Sequence, residues 1–156
     1  MLIFQRVVIG CRDVSMREYL RHPSNIPLDV RVVAQHMESH AHTRDVSMAG
    51  LCCEVAREIR CGSEVEFCVP LLSEDYVGKG VVAWCRPSSE GYQLGIEFSN
   101  EGDVFRVKMV EQLCQIEAYR REIQACDGRE LDGEQAAREW IQRFAADFNR
   151  RFTLSS

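Results

Sequence analysis

The sequence predicts an α+β fold: a small antiparallel barrel or sandwich followed by two C-terminal helices. Three observations carry this. Between Ile26 and Phe98 short extended runs alternate with turn signals. After Asn100 the apolar spacing changes from period two to that of a helix. The chain has 156 residues, 46% hydrophobic and 28% charged, without low-complexity tracts, which suits one globular domain with a helical extension.

Residues 1–16 are expected to be an extended segment or ragged leader. Gln5 and Arg6 interrupt its apolar run, which is too short for a secretory signal, so a cytoplasmic location is expected and Met16 is a possible alternative start. No stretch has the length of a transmembrane helix, so no membrane span is expected. The strand-rich body is placed at residues 17–100. "LDVRVV" alternates from Leu28, and "GLCCEV" and "EVEFCVPLL" give two further runs. "GVVAWC" and "YQLGIEF" flank "RPSSEG", which reads as a hairpin connection with Pro87 and Gly91. Five or six strands in this length suit a small barrel or sandwich. The helical extension is placed at residues 101–156. Phe105, Met109, Val110, Leu113, Ile116, Tyr119 and Ile123 form one stripe, ended near Gly128. Asp132 with Gln135 is spaced as a capping box. It opens a second helix with Ala137, Trp140, Ile141, Phe144 and Phe148 on one face.

A net charge of −5 argues against general DNA or RNA binding. Up to Arg44, however, there are six arginines against four acids, so a small anion could be gripped there. The eight cysteines include no CxxC pair and several fall at apolar strand positions, which reads as reduced core thiols. His36, His40 and His42 are expected in a loop between the first two strands, where a metal role is weakly supported. No P-loop, nucleophile elbow or nucleophile–base pairing is present, so no enzyme is expected.

The pentapeptide "RDVSM" occurs twice, at Arg12–Met16 and Arg44–Met48, and the residues after the two copies differ completely. The second copy extends to "DVSMAG" between predicted strands. There Asp45 and Ser47 would share a face if extended, and Gly50 would allow close approach. Taken alone, these residues read more readily as a turn satisfying its own backbone. Upstream lies "REYLRHPSNIPLDV", in which an arginine-bearing linker and an Ile-Pro enter a strand.

This combination, from about Arg17 to Phe98, resembles the PilZ domain, a bacterial receptor for cyclic di-GMP. The resemblance implies a six-stranded antiparallel β-barrel with C-terminal helical extensions. It also implies roles. The linker arginines of an RxxxR motif hold phosphates and meet the guanines, the Asp and Ser of DxSxxG contact guanine edges, and the Gly admits the ligand. Arg21, Asp45, Ser47 and Gly50 match. The second arginine of the motif is replaced by Asn25, which keeps hydrogen-bonding groups without the charge. Arg17, in a shifted RxxxR register with Arg21, and Arg44 are candidate helpers. Nothing in the resemblance reaches the first "RDVSM".

The expected function is therefore a cyclic di-GMP receptor or adaptor that passes ligand occupancy to a protein partner in bacterial signalling, with no cofactor. The alternative is a PilZ-fold interaction adaptor that binds the nucleotide weakly or not at all. A metal or thiol sensor built on the histidines and Cys52/Cys53 is the third reading. The apolar content of the helices predicts self-association or partner docking through residues 105–148.

Overall fold

The computed structural model describes residues 20–72, 78–99 and 104–155. Arg17 and the first "RDVSM" lie outside the described residues. The strands are β1 (His22–Pro23), β2 (Pro27–Val32), β3 (Met37–Val46), β4 (Gly50–Val55), β5 (Glu64–Cys68), β6 (Gly78–Ser88) and β7 (Gly91–Phe98). The helices are α1 (Val104–Asp127) and α2 (Gly133–Ser155).

Six strands pair antiparallel around a ring, in the order β3, β2, β5, β6, β7, β4 and back to β3. Closure removes the sheet edges that an open sheet would leave unpaired. The alternation read from the sequence sets which way each side chain faces. Leu28, Val30 and Val32 are buried, while Asp29 and Arg31 between them are only half-buried. One core runs from these residues through Leu51, Phe67, Leu94 and Ile96 to the helices.

Strand β1 is the seventh strand, laid on the end of β3. The barrel itself has the six strands expected, and β1 lies beside it; a two-residue strand containing Pro23 has no alternation to read. Two expectations are corrected. His40 and His42 stand on β3, not in a loop: pairing with β2 runs from Met37 to His42, and only His36, at φ 50°, is in the turn. The β6–β7 connection is shorter than "RPSSEG". Pro87 pairs with Tyr92, and the turn is Ser89–Glu90. A proline is tolerated there because the β5 partner of β6 ends at Val81, so no second ladder asks for its N–H. Gly91 follows at φ 145°, where a Cβ would overlap the Val55 carbonyl oxygen.

Helix α1 buries Met109, Val110, Leu113, Ile116 and Tyr119, with Ile123 partly buried against the same core. It ends at Gly128, which takes φ 69° and donates its N–H to the Gln124 carbonyl at 3.1 Å. The capping box forms as its spacing predicts. The Gln135 N–H donates to Asp132 Oδ1 at 2.8 Å, and the Asp132 N–H to Gln135 Oε1 at 3.0 Å. On α2, Ala137, Trp140 and Phe148 are buried, and Trp140 meets Phe148 edge-on at 5.5 Å. Phe144 departs from the expected apolar face: it is 40% exposed, with its ring against Tyr119.

Candidate functional site

The site begins with the segment before β2, which is fastened along β3. Pro23 stands opposite Asp45 and His22 opposite Val46. The Ser24 N–H donates to the Arg44 carbonyl at 3.0 Å, and the Thr43 N–H to the Ile26 carbonyl at 3.0 Å. The Ile26 N–H reaches the Thr43 hydroxyl at 2.8 Å, and that hydroxyl also bonds Ser24 Oγ at 2.8 Å. Buried Ser24 and Thr43 thus satisfy each other and pin the linker.

One residue before β1, Arg21 turns its guanidinium onto Asp45, with Nη1 donating to Oδ1 at 2.7 Å. The two side chains are 19% and 29% exposed, so the pair is largely withdrawn from water. Burial pushes the Asp45 carboxyl above its usual range, and the Arg21 and Arg44 guanidinium groups pull against it without prevailing.

The β3–β4 register slips between Thr43 and Asp45, leaving Arg44 as the extra residue of a bulge. Arg44 Nη1 donates to Glu54 Oε2 at 2.9 Å, and Gln93 Nε2 donates to the same oxygen at 3.3 Å. Arg86 Nη2 donates to Gln93 Oε1 at 3.4 Å. A polar row therefore crosses β3, β4, β7 and β6. Beside it, cross-strand pairing sets Asp45, Cys52, Gly95 and Trp84 in a second row. The Arg86 guanidinium lies 4.7 Å from the Trp84 ring centroid. The indole rests on Gly95, where a Cβ would overlap its Nε1.

Cys52 sits at the centre of this patch. Burial, then the Asp45 charge, push its thiol up to about 12, while Arg21, Arg44 and Arg86 pull it down. Three guanidinium groups from the linker, β3 and β6 thus act on one spot of the barrel's outer surface. Burial holds the thiol in its protonated form, and raises Cys53 as well.

The remaining expected residues are placed differently. Strand β3 ends at Val46, so Asp45 and Ser47 are not the same-face pair that an extended stretch would give. Ser47 is 1% exposed, and its hydroxyl serves the turn. It accepts from the Ala49 and Gly50 N–H groups at 3.2 and 3.3 Å and donates to the Gly50 carbonyl at 3.3 Å. Gly50 opens β4, opposite Glu97. Asn25 is exposed beside Arg21's segment, and its carbonyl oxygen lies against Gly133 of α2. Arg17 lies outside the described residues.

Sequence reasoning misses Trp84, Arg86 and Gly95. The signal available is the two-residue spacing of Trp84 and Arg86, which puts both on one face of β6. Only closure of the ring brings that face beside Asp45. The histidines make no comparable centre. His40 Nδ1 is 2.7 Å from Asp29 Oδ1, and no group of three potential ligand side chains is gathered among the described residues.

The PilZ domain family model matches residues 15–115. No curated protein matches the sequence. Among solved structures, YcgR from Escherichia coli, in complex with c-di-GMP, is similar with a TM-score of 0.54 and 18% identity, over 72% of this chain and 50% of that one. The Bacillus subtilis inhibitor of motility MotI/DgrA gives 0.50 and 14%, over 65% of this chain and 51% of that one. The chain spans about half the length of these two proteins, and at such identities the likeness establishes the fold alone. The family model covers well over half of the sequence, from the arginine linker through the closed barrel into α1, and on that extent the chain belongs to the PilZ domain family.

Proposed function

We propose that this chain binds cyclic di-GMP on the outer face of the barrel around Arg21, Asp45 and Cys52, and passes occupancy to a protein partner. The observation that carries the reading is the Arg21–Asp45 pair: a linker cation held at 2.7 Å on a strand carboxylate, with Arg44 and Arg86 acting on the same spot. A cyclic dinucleotide brings two phosphodiester charges and two planar bases. Guanidinium forks can answer both, by bidentate hydrogen bonds to phosphate and by stacking on a base. Asp45 offers acceptors for a guanine edge once Arg21 turns from it to the ligand. Trp84, whose buried Nε1–H finds no acceptor among the described residues, and Arg86 extend the surface. Ser47 and Gly50 contribute by shaping the turn that follows Asp45.

Asn25 sets the expected affinity. A charge-assisted hydrogen bond contributes about 1.5–3 kcal/mol, so its absence costs roughly one to two decades in Kd. The test is a calorimetric titration with cyclic di-GMP. Saturable binding, weakened by Arg21→Ala and Asp45→Ala and tightened by Asn25→Arg, supports the reading. No saturation at high micromolar ligand in either the natural chain or Asn25→Arg would refute it.

A second reading, an adaptor that works without nucleotide, is favoured by one observation. The linker residue at the arginine position already has its backbone occupied by helix α2. Capture of the same partner with and without ligand would support that alternative.

A further inference from the structure

Two glycines bound the loop between the helices, and they differ in their surroundings. Gly128 has a positive φ of 69°, and a Cβ added there would meet nothing within 4 Å, so glycine answers a backbone need alone. Gly133, the first residue of α2, answers a packing need. A Cβ on it would overlap the Asn25 carbonyl oxygen, lie 2.6 Å from the Asn25 carbonyl carbon and 3.2 Å from its Cβ. The obstacle is backbone, which cannot swing aside as a long side chain would. Helix α1 also lies against β1. The segment that carries Arg21 is thus enclosed. On one side the hydrogen bonds of Ser24 and Ile26 tie it to β3, and on the other stand the N-terminus of α2 and the flank of α1.

We propose that the helical hairpin is the positioning element of the linker, with Gly133 as its point of contact, so that hairpin position and Arg21 placement are coupled. Arg21 reaches Asp45 because the next residues are seated against β3, and the hairpin closes that seat. A ligand that draws Arg21 off Asp45 shifts the segment and therefore acts on the hairpin. By linkage, whatever holds the hairpin changes affinity at Arg21 by the same factor. The coupling to ligand rests on the reading of the site given above, whereas the seating of the linker does not.

The experiment is site-resolved hydrogen exchange on the full chain, comparing Gly133→Ala with Gly128→Ala, followed by cyclic di-GMP titration of each. Alanine is the better helix former, so a purely local effect at position 133 would strengthen α2. The proposal expects the opposite signature. Protection at the Ser24 and Ile26 amides falls about tenfold in Gly133→Ala, while Val30 and Leu94 keep theirs, and Gly128→Ala leaves the linker amides unchanged even though it strains the loop. Nucleotide affinity in Gly133→Ala falls correspondingly, by about tenfold, compared with Gly128→Ala at matched Tm. Unchanged protection at Ser24 and Ile26 would overturn the proposal. If Gly133→Ala does not fold, exchange in the natural chain decides. Ligand binding that leaves every α1 and α2 amide unaltered overturns the coupling, and altered protection there upholds it. Absence of binding by the natural chain would refute the function proposed above, while the linker amides would still decide whether the hairpin seats the linker.

Discussion

Removing the Arg21 guanidinium should destabilise the protein in a pH-dependent way, with a sign that the site's geometry fixes. In the native chain Asp45 is 29% exposed and accepts from Arg21 Nη1 at 2.7 Å. Arg21→Ala leaves a carboxylate in a desolvated position with its nearest cation gone. Breaking a largely buried pair from one side costs about 3 kcal/mol, and residual exposure at this site brings the expectation down to about 2 kcal/mol at pH 7. Burial already holds the Asp45 carboxyl above its usual range with Arg21 pulling it down, so loss of Arg21 raises it further. A carboxyl whose folded proton affinity exceeds its unfolded one favours folding most when protonated. Stability from this group is therefore lost as pH rises from the unfolded carboxylate range through the raised folded value. The Arg21→Ala penalty should be largest near neutrality and shrink as pH falls. Asp45→Asn, which cannot ionise, should abolish that pH dependence when combined with Arg21→Ala. Urea unfolding between about pH 4 and 8 measures this through the midpoint at constant m-value. A penalty that is flat with pH, or one that the second substitution does not relieve, would show that the pair does not hold the linker to β3.

Three further outcomes rest on single contacts. Gly95→Ala places a methyl group against the Trp84 indole and should cost about 1–3 kcal/mol of overpacking, read as a lower Tm with altered tryptophan fluorescence; an unchanged Tm would contradict the indole's place over Gly95. Asp132→Ala removes one half of the α2 capping box and should cost about 1 kcal/mol, measured by thermal unfolding, with Gln135→Ala adding less than its own separate effect in the double variant. His40 is held above 6.5 by its hydrogen bond to the Asp29 carboxylate, so Asp29→Asn should bring its NMR titration back toward that value. With the folded value raised, the His40 contribution is full below the unfolded pKa and is lost as pH rises through the folded one.

What the sequence could disclose divides along the range of the interactions. Strand β4 matches the "GLCCEV" run, and the Asp132–Gln135 cap forms, because both depend on residues a few positions apart. Asp45 is singled out by a contiguous pattern of linker, turn and following strand, and the fold sets Arg21 against it. A hydroxyl before Gly50 can read a ligand or close a turn; in this fold the Ser47 hydroxyl is buried and accepts from the Ala49 and Gly50 amides of the turn. Arg86 and Trp84 were hidden because they lie some forty residues from Asp45 and become its neighbours only through the β4–β7–β6 ladders. The Asn25–Gly133 contact, between residues more than a hundred positions apart, leaves no mark on either segment.

Under the proposed function, the division of labour between barrel and linker sets what a single departure from the family motif at position 25 would change. Asp45, Arg44, Cys52, Trp84 and Arg86 stand on strands closed into a ring. Arg21 instead depends on a short segment whose attachment consists of β1 and the hydrogen bonds around Thr43 and Ser24. Under the proposed function, a ligand arriving on this face competes with Asp45 for Arg21. With arginine at both positions, the second cation could hold the ligand while the first exchanges partners. With Asn25, that exchange lacks the second motif arginine, and Arg44 is already engaged with Glu54. Removing that competitor by Glu54→Gln should release Arg44 toward the ligand and tighten cyclic di-GMP binding. The same substitution should leave an Asn25→Arg variant much less affected, because the second linker cation is then supplied.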